Sequence, residues 1–309
     1  WNKVIADIID INYAARTTCT KPSGNASVLL GTASGIHGEH APYYFRNVQM
    51  NEDEEVCQLF ENKNKRMVET SVWSSTGTDK VISFPIESKK GSIYKNNLMG
   101  VKQLEYVKKA QQNWVEYGTN EEFCIDPTLR HNISNTITID NWQNVEDYIY
   151  ENRKWFAGIS MMSAMGDNAY PQAPFMEVFT AEQIFEKYGK PSLFASGLIV
   201  AAMEAFGDLW QACATANGFG EKLDPENSAD LKKRDWIRRL DKFADNHFNG
   251  DVLKTTNCLK DCHNLHKWTK IGQKIKPINF ATELESKKFV DADTLGAQSC
   301  NSGACEISF

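Results

Sequence analysis

Lys21-Pro22-Ser23-Gly24-Asn25-Ala26-Ser27 lies between an extended piece, Thr17 to Thr20, and a short apolar turn or helix, Val28 to Leu30. Pro22 holds the residue before it extended, and Gly24 permits a tight backbone turn. Where a turn opens a helix, the first N–H groups have no intrahelical partner and the helix dipole favours negative charge. Such a junction can hold a phosphate. Gly24 and Ala26 keep bulk away from a ligand, while Ser23, Asn25 and Ser27 add hydroxyl and amide donors. On local chemistry alone, an ordinary N-cap by Ser or Asn is the stronger reading. The rest of the chain has to decide.

Working outward, the apolar spacing of Val4, Ile5, Ile8 and Ile9 predicts a helix from Val4 to Ala15. Downstream, Gly31, Gly35 and Gly38 punctuate an irregular stretch to Pro42; His37 and His40 flank Gly38 and read as solvated or structurally bonded. Strands are expected at Tyr43 to Met50, Val81 to Ile86, Ile133 to Ile139 and Ala157 to Met162. Helices are expected at Glu52 to Lys65, Leu98 to Tyr117 and Val145 to Trp155, with exposed acids at Asn51 to Glu55 favouring a helix start. The second half reads as mostly helical: Ala181 to Tyr188, Ser192 to Ala216, Ser228 to His247 and Cys258 to Lys270. Trp114, Trp155 and Trp210 read as core anchors. Strands concentrated before about residue 165 and alternating with helices give the α/β class.

Bulk properties exclude several functions. The 309 residues are 41% hydrophobic, 24% charged and 11% aromatic, as in a globular protein with a substantial core. A net charge of -6 leaves no basic surplus for a nucleic acid. The longest apolar run, Leu193 to Phe206, contains Glu204 and falls short of the roughly 20 residues that a membrane helix needs. Trp1 opens an amphipathic stretch rather than a secretory leader. Eight cysteines in this length are too sparse for a stapled secreted domain, so a reducing, cytoplasmic compartment is expected. Six of them read as small buried hydrophobes.

Cys300 and Cys305 differ from those six. They close Ser299-Cys300-Asn301-Ser302-Gly303-Ala304-Cys305 near the chain end, where a small spacer lets two thiols meet across a short loop. A dithiol on a mobile terminus can travel between a buried disulfide and an external reductant. Two incidental cysteines in a disordered tail and half of a zinc site are the other readings, but no further metal ligands lie nearby in sequence. Cys258, Cys262 and His266 would share one helix face, yet a fourth ligand is not apparent and a packed helix is favoured.

The run from Thr17 to His37, with Lys21-Pro22-Ser23-Gly24-Asn25-Ala26-Ser27 inside it, resembles the phosphate-gripping segment of class II, adenosylcobalamin-dependent ribonucleotide reductases. That family usually has Thr where this chain has Asn25. The Cys300/Cys305 tail is similar to the family's C-terminal dithiol, which re-reduces the active site after each turnover. Tyr43-Tyr44-Phe45-Arg46, Asn132 to Ile139, Phe156 to Ser160 and Tyr170 to Phe175 also look like family segments, and their order is closest to the monomeric, triphosphate-using branch. The stretch from about 181 to 270 matches only loosely.

The resemblance implies the C-terminal part of a ten-stranded α/β barrel, followed by helices and a flexible cysteine tail. Residues 1–180 would supply later barrel strands and the phosphate loop, 181–280 a helical region and 281–309 the redox tail. It implies a ribonucleotide substrate, adenosylcobalamin and a thioredoxin-like reductant. Ser23, Gly24, Asn25, Ala26 and Ser27 would hold the phosphates, and Cys300 and Cys305 would shuttle electrons. The family's central Asn-x-Cys-x-Glu loop is absent from this sequence, and Cys19 and Cys124 lie in the wrong surroundings to serve as active-site cysteines. The chain also opens without Met, so a missing N-terminal half and inactivity of the chain alone are expected. Two rival classes stand beside this reading: a non-enzymatic nucleotide-phosphate-binding module, and a reductase served by a separate radical-generating subunit.

Overall fold

The computed structural model describes residues 1–20, 23, 26–27, 30–74, 76–164, 172–189, 194, 196–203, 226 and 228–284. In chain order the elements used below are α1 (Asn2–Ile9), β1 (Tyr43–Asn51), α2 (Glu55–Asn64), β2 (Val68–Thr70) and β3 (Asp79–Glu87). There follow α3 (Val101–Ala110), β4 (Thr136–Ile139), α4 (Trp142–Asn152), β5 (Ser160–Ser163) and β6 (Phe175–Glu177). The last are α5 (Ala181–Tyr188), α6 (Ser228–Phe248), α7 (Val252–Lys270) and α8 (Phe280–Leu284). The chain is mixed α/β, as expected. It divides into two compact units, Trp1–Pro42 with Glu87–Ala169, and Tyr43–Ile86 with Tyr170–Phe309.

The first unit is built on β4–α4–β5, a parallel pair joined by a helical crossover, with Ile137 opposite Met161 and Ile139 opposite Ser163. Asn141 caps α4 by accepting from the Asn144 N–H, which satisfies one of its orphan donors. α3 starts at Gly100, whose N–H donates to the Thr138 carbonyl at 2.8 Å. Gly100 has φ +58°, and a Cβ there would stand 3.2 Å from Asp140 Oδ1, so glycine is required. Leu104 and Val107 of α3 pack with Val115, Ile133, Ile137, Ile139 and Val145 as the unit's core. Full burial of a Leu side chain such as Leu104 is worth about 1.5–3 kcal/mol.

In the second unit a sheet runs β2-β3-β1-β6. β6 pairs antiparallel with β1, Phe45 opposite Met176, and β2 pairs antiparallel with β3, Val68 opposite Ile82. Phe45, Phe60, Met67, Ile82 and Val178 form its core, against which Trp268, Ile271 and Ile275 pack. A second cluster joins Ile184, Leu198, Ile199, Leu240, Phe243 and Leu259 from α5, the helical stretch 197–203, α6 and α7. Local signals set these helices. Thr180 and Gln183 make a reciprocal capping box on α5, and Asp251 caps α7 after a turn with positive φ at Asn249 and Gly250.

Several expectations need correction. α1 ends at Ile9, because Asp10 turns left-handed (φ 55°) and donates back to the Ala6 carbonyl. The helix expected from Leu98 to Tyr117 is α3 followed by a π-helical stretch, Gln111–Glu116. Trp114 is not a core anchor but 56% exposed, and Trp155 is half-buried. The wider π turn rotates Val115 inward in its place. Neither β2 nor β6 was anticipated. α7 begins at Val252 rather than Cys258. Cys57, Cys258 and Cys262 are buried as expected, but Cys19 is exposed and Cys124 half-buried. Cys213, Trp210 and most of the helix expected at 192–216 lie outside the described residues. No helix among the described residues is long and apolar enough to cross a membrane.

Candidate functional site

Of the five loop residues, Ser23, Ala26 and Ser27 are described, while Gly24 and Asn25 lie outside the described residues. The Ala26 N–H donates to the Ser23 carbonyl at 2.9 Å, closing a turn as the chain enters the helical residues 26–27. Ser23 Oγ accepts from the Gly35 N–H at 3.1 Å, so the loop is folded back on its own downstream end. The Ser27 carbonyl accepts from Thr32 N–H at 3.0 Å, and Gly31 and Gly35 take positive φ of 61° and 59° to make the return. Ala26 is exposed, Ser23 half-buried and Ser27 buried. A hydroxyl that accepts one hydrogen bond still has its O–H to donate, so Ser23 can serve an anion without leaving Gly35.

His37 anchors this loop. Its Nε2 accepts from the Thr136 N–H at 3.0 Å, and its Nδ1 lies 2.8 Å from the Ser34 carbonyl. An accepting Nε2 carries no proton, so Nδ1 is the protonated nitrogen and donates to Ser34. The ring therefore ties the loop's end to the start of β4, in keeping with the structurally bonded role expected of it. Beyond it, Gly38 passes so close to residues 93–95 that a Cβ would stand 2.9 Å from Ile93 O and Lys95 N. The Glu39 N–H donates to Ile93 O, and the Lys95 N–H donates to Glu39 O, completing the clamp. Burial beside the Lys95 ammonium lowers the His40 imidazole to about 4.

Two buried polar groups of this unit were not singled out from sequence. Asn135 Nδ2 donates to the carbonyls of Ile133 and Gly158, but its buried Oδ1 has no partner among the described residues. Arg16 donates through Nη2 to Val115 O at 2.7 Å, while its buried Nη1 is likewise unpartnered. Arg16 directly precedes the Thr17–His37 run, and Asn135 directly precedes the residue that His37 holds. Neither role follows from local spacing, because both depend on contacts from far along the chain.

In the second unit, Cys258 and Cys262 share a helix face as expected, but they face the core. Donation of the Cys258 S–H to Cys262 together with burial pushes the Cys258 thiol far up, which keeps it protonated and a poor ligand. No cluster of three His, Cys, Asp or Glu suited to a metal occurs among the described residues. Buried Asp261 accepts from Tyr188 Oη at 2.7 Å and from Lys187 Nζ at 3.0 Å. Buried Lys267 donates to Glu69 at 2.6 Å and to Ser83 at 3.1 Å. Cys300 and Cys305 lie outside the described residues.

No protein-family model matches the chain. Over 175 residues, 54% of its length, the chain is 25% identical to a probable adenosylcobalamin-dependent ribonucleoside-triphosphate reductase of Dictyostelium discoideum. That match covers 21% of the relative, so the chain spans about a fifth of the length of the curated protein it matches. A B12-dependent (class II) ribonucleotide reductase of known structure aligns with 60% of this chain and 24% of its own, at 18% identity and a TM-score of 0.46. The chain is thus similar, over about half its length, to an adenosylcobalamin-dependent ribonucleotide reductase.

Proposed function

We propose that this chain is the C-terminal part of a class II ribonucleotide reductase, closest to the monomeric triphosphate branch, and that loop 23–27 holds the substrate phosphates. The observation that supports it is the closed loop, with Ser23 bound to Gly35 and His37 bound to Thr136. These bonds hold Ser23 and His37 in place ahead of any ligand, so less ordering of these two residues is left to occur on binding. Ser23, Asn25 and Ser27 supply side-chain donors, and Gly24 and Ala26 leave room for the phosphate oxygens.

In the proposed reaction the ribose 2′-hydroxyl leaves as water and hydrogen takes its place. A thiyl radical on a cysteine outside this chain abstracts the 3′-hydrogen. A cysteine pair supplies two electrons and becomes a disulfide. Cys300 and Cys305 then reduce that disulfide by thiol exchange and are themselves reduced by a thioredoxin-like donor. Residues 1–180 would complete a ten-stranded barrel, 181–280 would form its helical flank and 281–309 the redox tail, all in a cytoplasmic enzyme inactive without its N-terminal half.

The cofactor implied is adenosylcobalamin. A histidine ligand to the cofactor would need an open ring nitrogen, and His37, which engages both of its nitrogens with backbone groups, does not fit. No step here is routed through the cofactor.

The test assembles the chain with its upstream polypeptide and assays ribonucleotide reduction with thioredoxin and with a small dithiol. Cys300→Ser with Cys305→Ser should abolish turnover with thioredoxin while sparing turnover with the small dithiol. Equal activity of wild type and double variant with thioredoxin would refute the shuttle.

A further inference from the structure

Among the described residues, three other than glycine take a positive φ: Asp10, Gln172 and Asn249. Asp10 and Asn249 directly follow α1 and α6, where a left-handed residue is an ordinary way to end a helix. Asp and Asn also tolerate that backbone better than most residues. Gln172, with φ 55°, stands ahead of strand β6 and is not one of the types that favour it. Its side chain supplies the reason.

The Gln172 amide acts as a peptide group on the edge of β2. In the antiparallel β2–β3 pair the Ser71 N–H turns inward to the Asp79 carbonyl, so the Thr70 carbonyl and the Val72 N–H turn to the outer edge. Those are the two groups that a residue of a neighbouring strand would take. Gln172 Nε2 donates to the Thr70 carbonyl at 3.0 Å, and its Oε1 accepts from the Val72 N–H at 2.9 Å. The amide also donates to the Glu69 carboxylate, which in turn holds Lys267 of α7. Turning the amide over would set Oε1 against the Thr70 carbonyl, so its orientation is fixed.

This tie crosses the sheet. The strand order β2-β3-β1-β6 puts β2 and β6 at opposite edges. Yet Phe175, only three positions after Gln172, is already paired with Arg46 of β1. Between them the Pro174 and Ala173 carbonyls accept from the Asn47 N–H at 2.9 Å and its Nδ2 at 2.7 Å. We propose that Gln172 is a releasable latch at the end of a strap, residues 172–174, that joins the two edges of this sheet. Closed, the latch holds the end of β2 and completes the Lys267–Glu69–Gln172 chain of contacts. Released, it frees the end of β2 while β1 and β6 stay paired. The left-handed backbone of Gln172 leans toward release, and its side-chain hydrogen bonds lean toward closure. The latch stands whether or not the chain is part of a reductase.

The experiment measures amide hydrogen exchange, corrected for intrinsic rates, in the full 309-residue chain. In the wild type the Val72 amide should exchange about tenfold or more faster than those of Ser71 and Asn47, because it opens by a local event of its own. Gln172→Met keeps length and bulk but has no amide. It should speed Val72 exchange by a further factor of about ten, and leave Ser71 and Asn47 within about twofold. Gln172→Asn suits a left-handed backbone better but is one methylene too short to reach β2, so it should release Val72 as well. Equal exchange at Val72, Ser71 and Asn47 in the wild type would overturn the latch, and that comparison needs no variant. A protected Val72 in the Met variant would overturn it too, by assigning the contact to packing, as would a protected Val72 in the Asn variant, by assigning it to the backbone. Faster exchange at all three amides alike in the Met variant would make Gln172 a support of the whole sheet and not a latch.

Discussion

The Nε2 of His37 accepts the backbone N–H of Thr136 at 3.0 Å, joining the end of the phosphate-loop candidate to the first residue of β4 across 99 positions of sequence. Because the same ring is held at Ser34 through Nδ1, loop and strand move as one piece. This pairing gives the candidate site its scaffold.

Removing the ring tests that scaffold. His37→Ala leaves the Thr136 N–H without its partner, while the Ser34 carbonyl keeps only the backbone N–H of residue 37, a loss of about 1–3 kcal/mol. Denaturant unfolding should show that loss, and the Thr136 amide should exchange faster even under native conditions.

Gly38 should tolerate no side chain. A Cβ would press on Ile93 O, Lys95 N and Tyr94 C at 2.9 Å, and all three are backbone atoms that cannot step aside. Gly38→Ala is expected to cost about 1–3 kcal/mol in thermal or chemical unfolding through overpacking. Gly77→Ala, where a Cβ meets nothing, carries only the strain of positive φ and is the control for a glycine-specific effect.

The buried imidazole beside Lys95 makes stability depend on pH. His40 falls from its ordinary 6.5 to about 4, chiefly through desolvation. The unfolded chain therefore binds the proton more readily than the folded one. Stability is complete above about pH 6.5 and is lost as pH falls toward 4, by up to roughly 2–3 kcal/mol. His40→Gln should flatten that part of the stability profile; an unchanged slope between pH 4 and 6.5 would show that other groups set it.

In the second unit the Lys267–Glu69 pair is an electrostatic lock. Burial alone would push the Glu69 carboxyl up, but the Lys267 ammonium at 2.6 Å holds it below its ordinary range. Its contribution is present above the unfolded carboxylate pKa and lost as pH falls through the folded one. Lys267→Met should cost about 1–2 kcal/mol at neutral pH, because the half-exposed Glu69 carboxylate loses its partner but keeps some water, and adding Glu69→Leu should recover part of it. A double-mutant cycle by urea unfolding checks the coupling.

Much of this was legible because it is local. β1 and β3 are nine-residue runs rich in aromatic and β-branched side chains, α5 carries its own periodicity and capping box, and α6 its own periodicity. β2 and β6, of three residues each, are defined by distant partners: Glu177 pairs with Tyr44, 133 positions away, and no local pattern announces that. Trp114 misled because a 3.6-residue period was assumed through Gln111–Glu116, where the helix widens. Asp251 was a legible cap that would have started α7 correctly. At the site, the spacing of Ser23, Gly24 and Ser27 suggested an anion loop, but only tertiary contacts reveal His37 as its anchor and Asn135 beside it.

The most direct measurement is to read and translate the coding sequence upstream of Trp1. An in-frame extension or adjacent gene with an Asn-x-Cys-x-Glu loop and an earlier partner cysteine is the predicted result, and it makes this chain the C-terminal part of a reductase. A start codon at or near Trp1, with no companion gene carrying that loop, would contradict the account and leave the phosphate loop to a binding module.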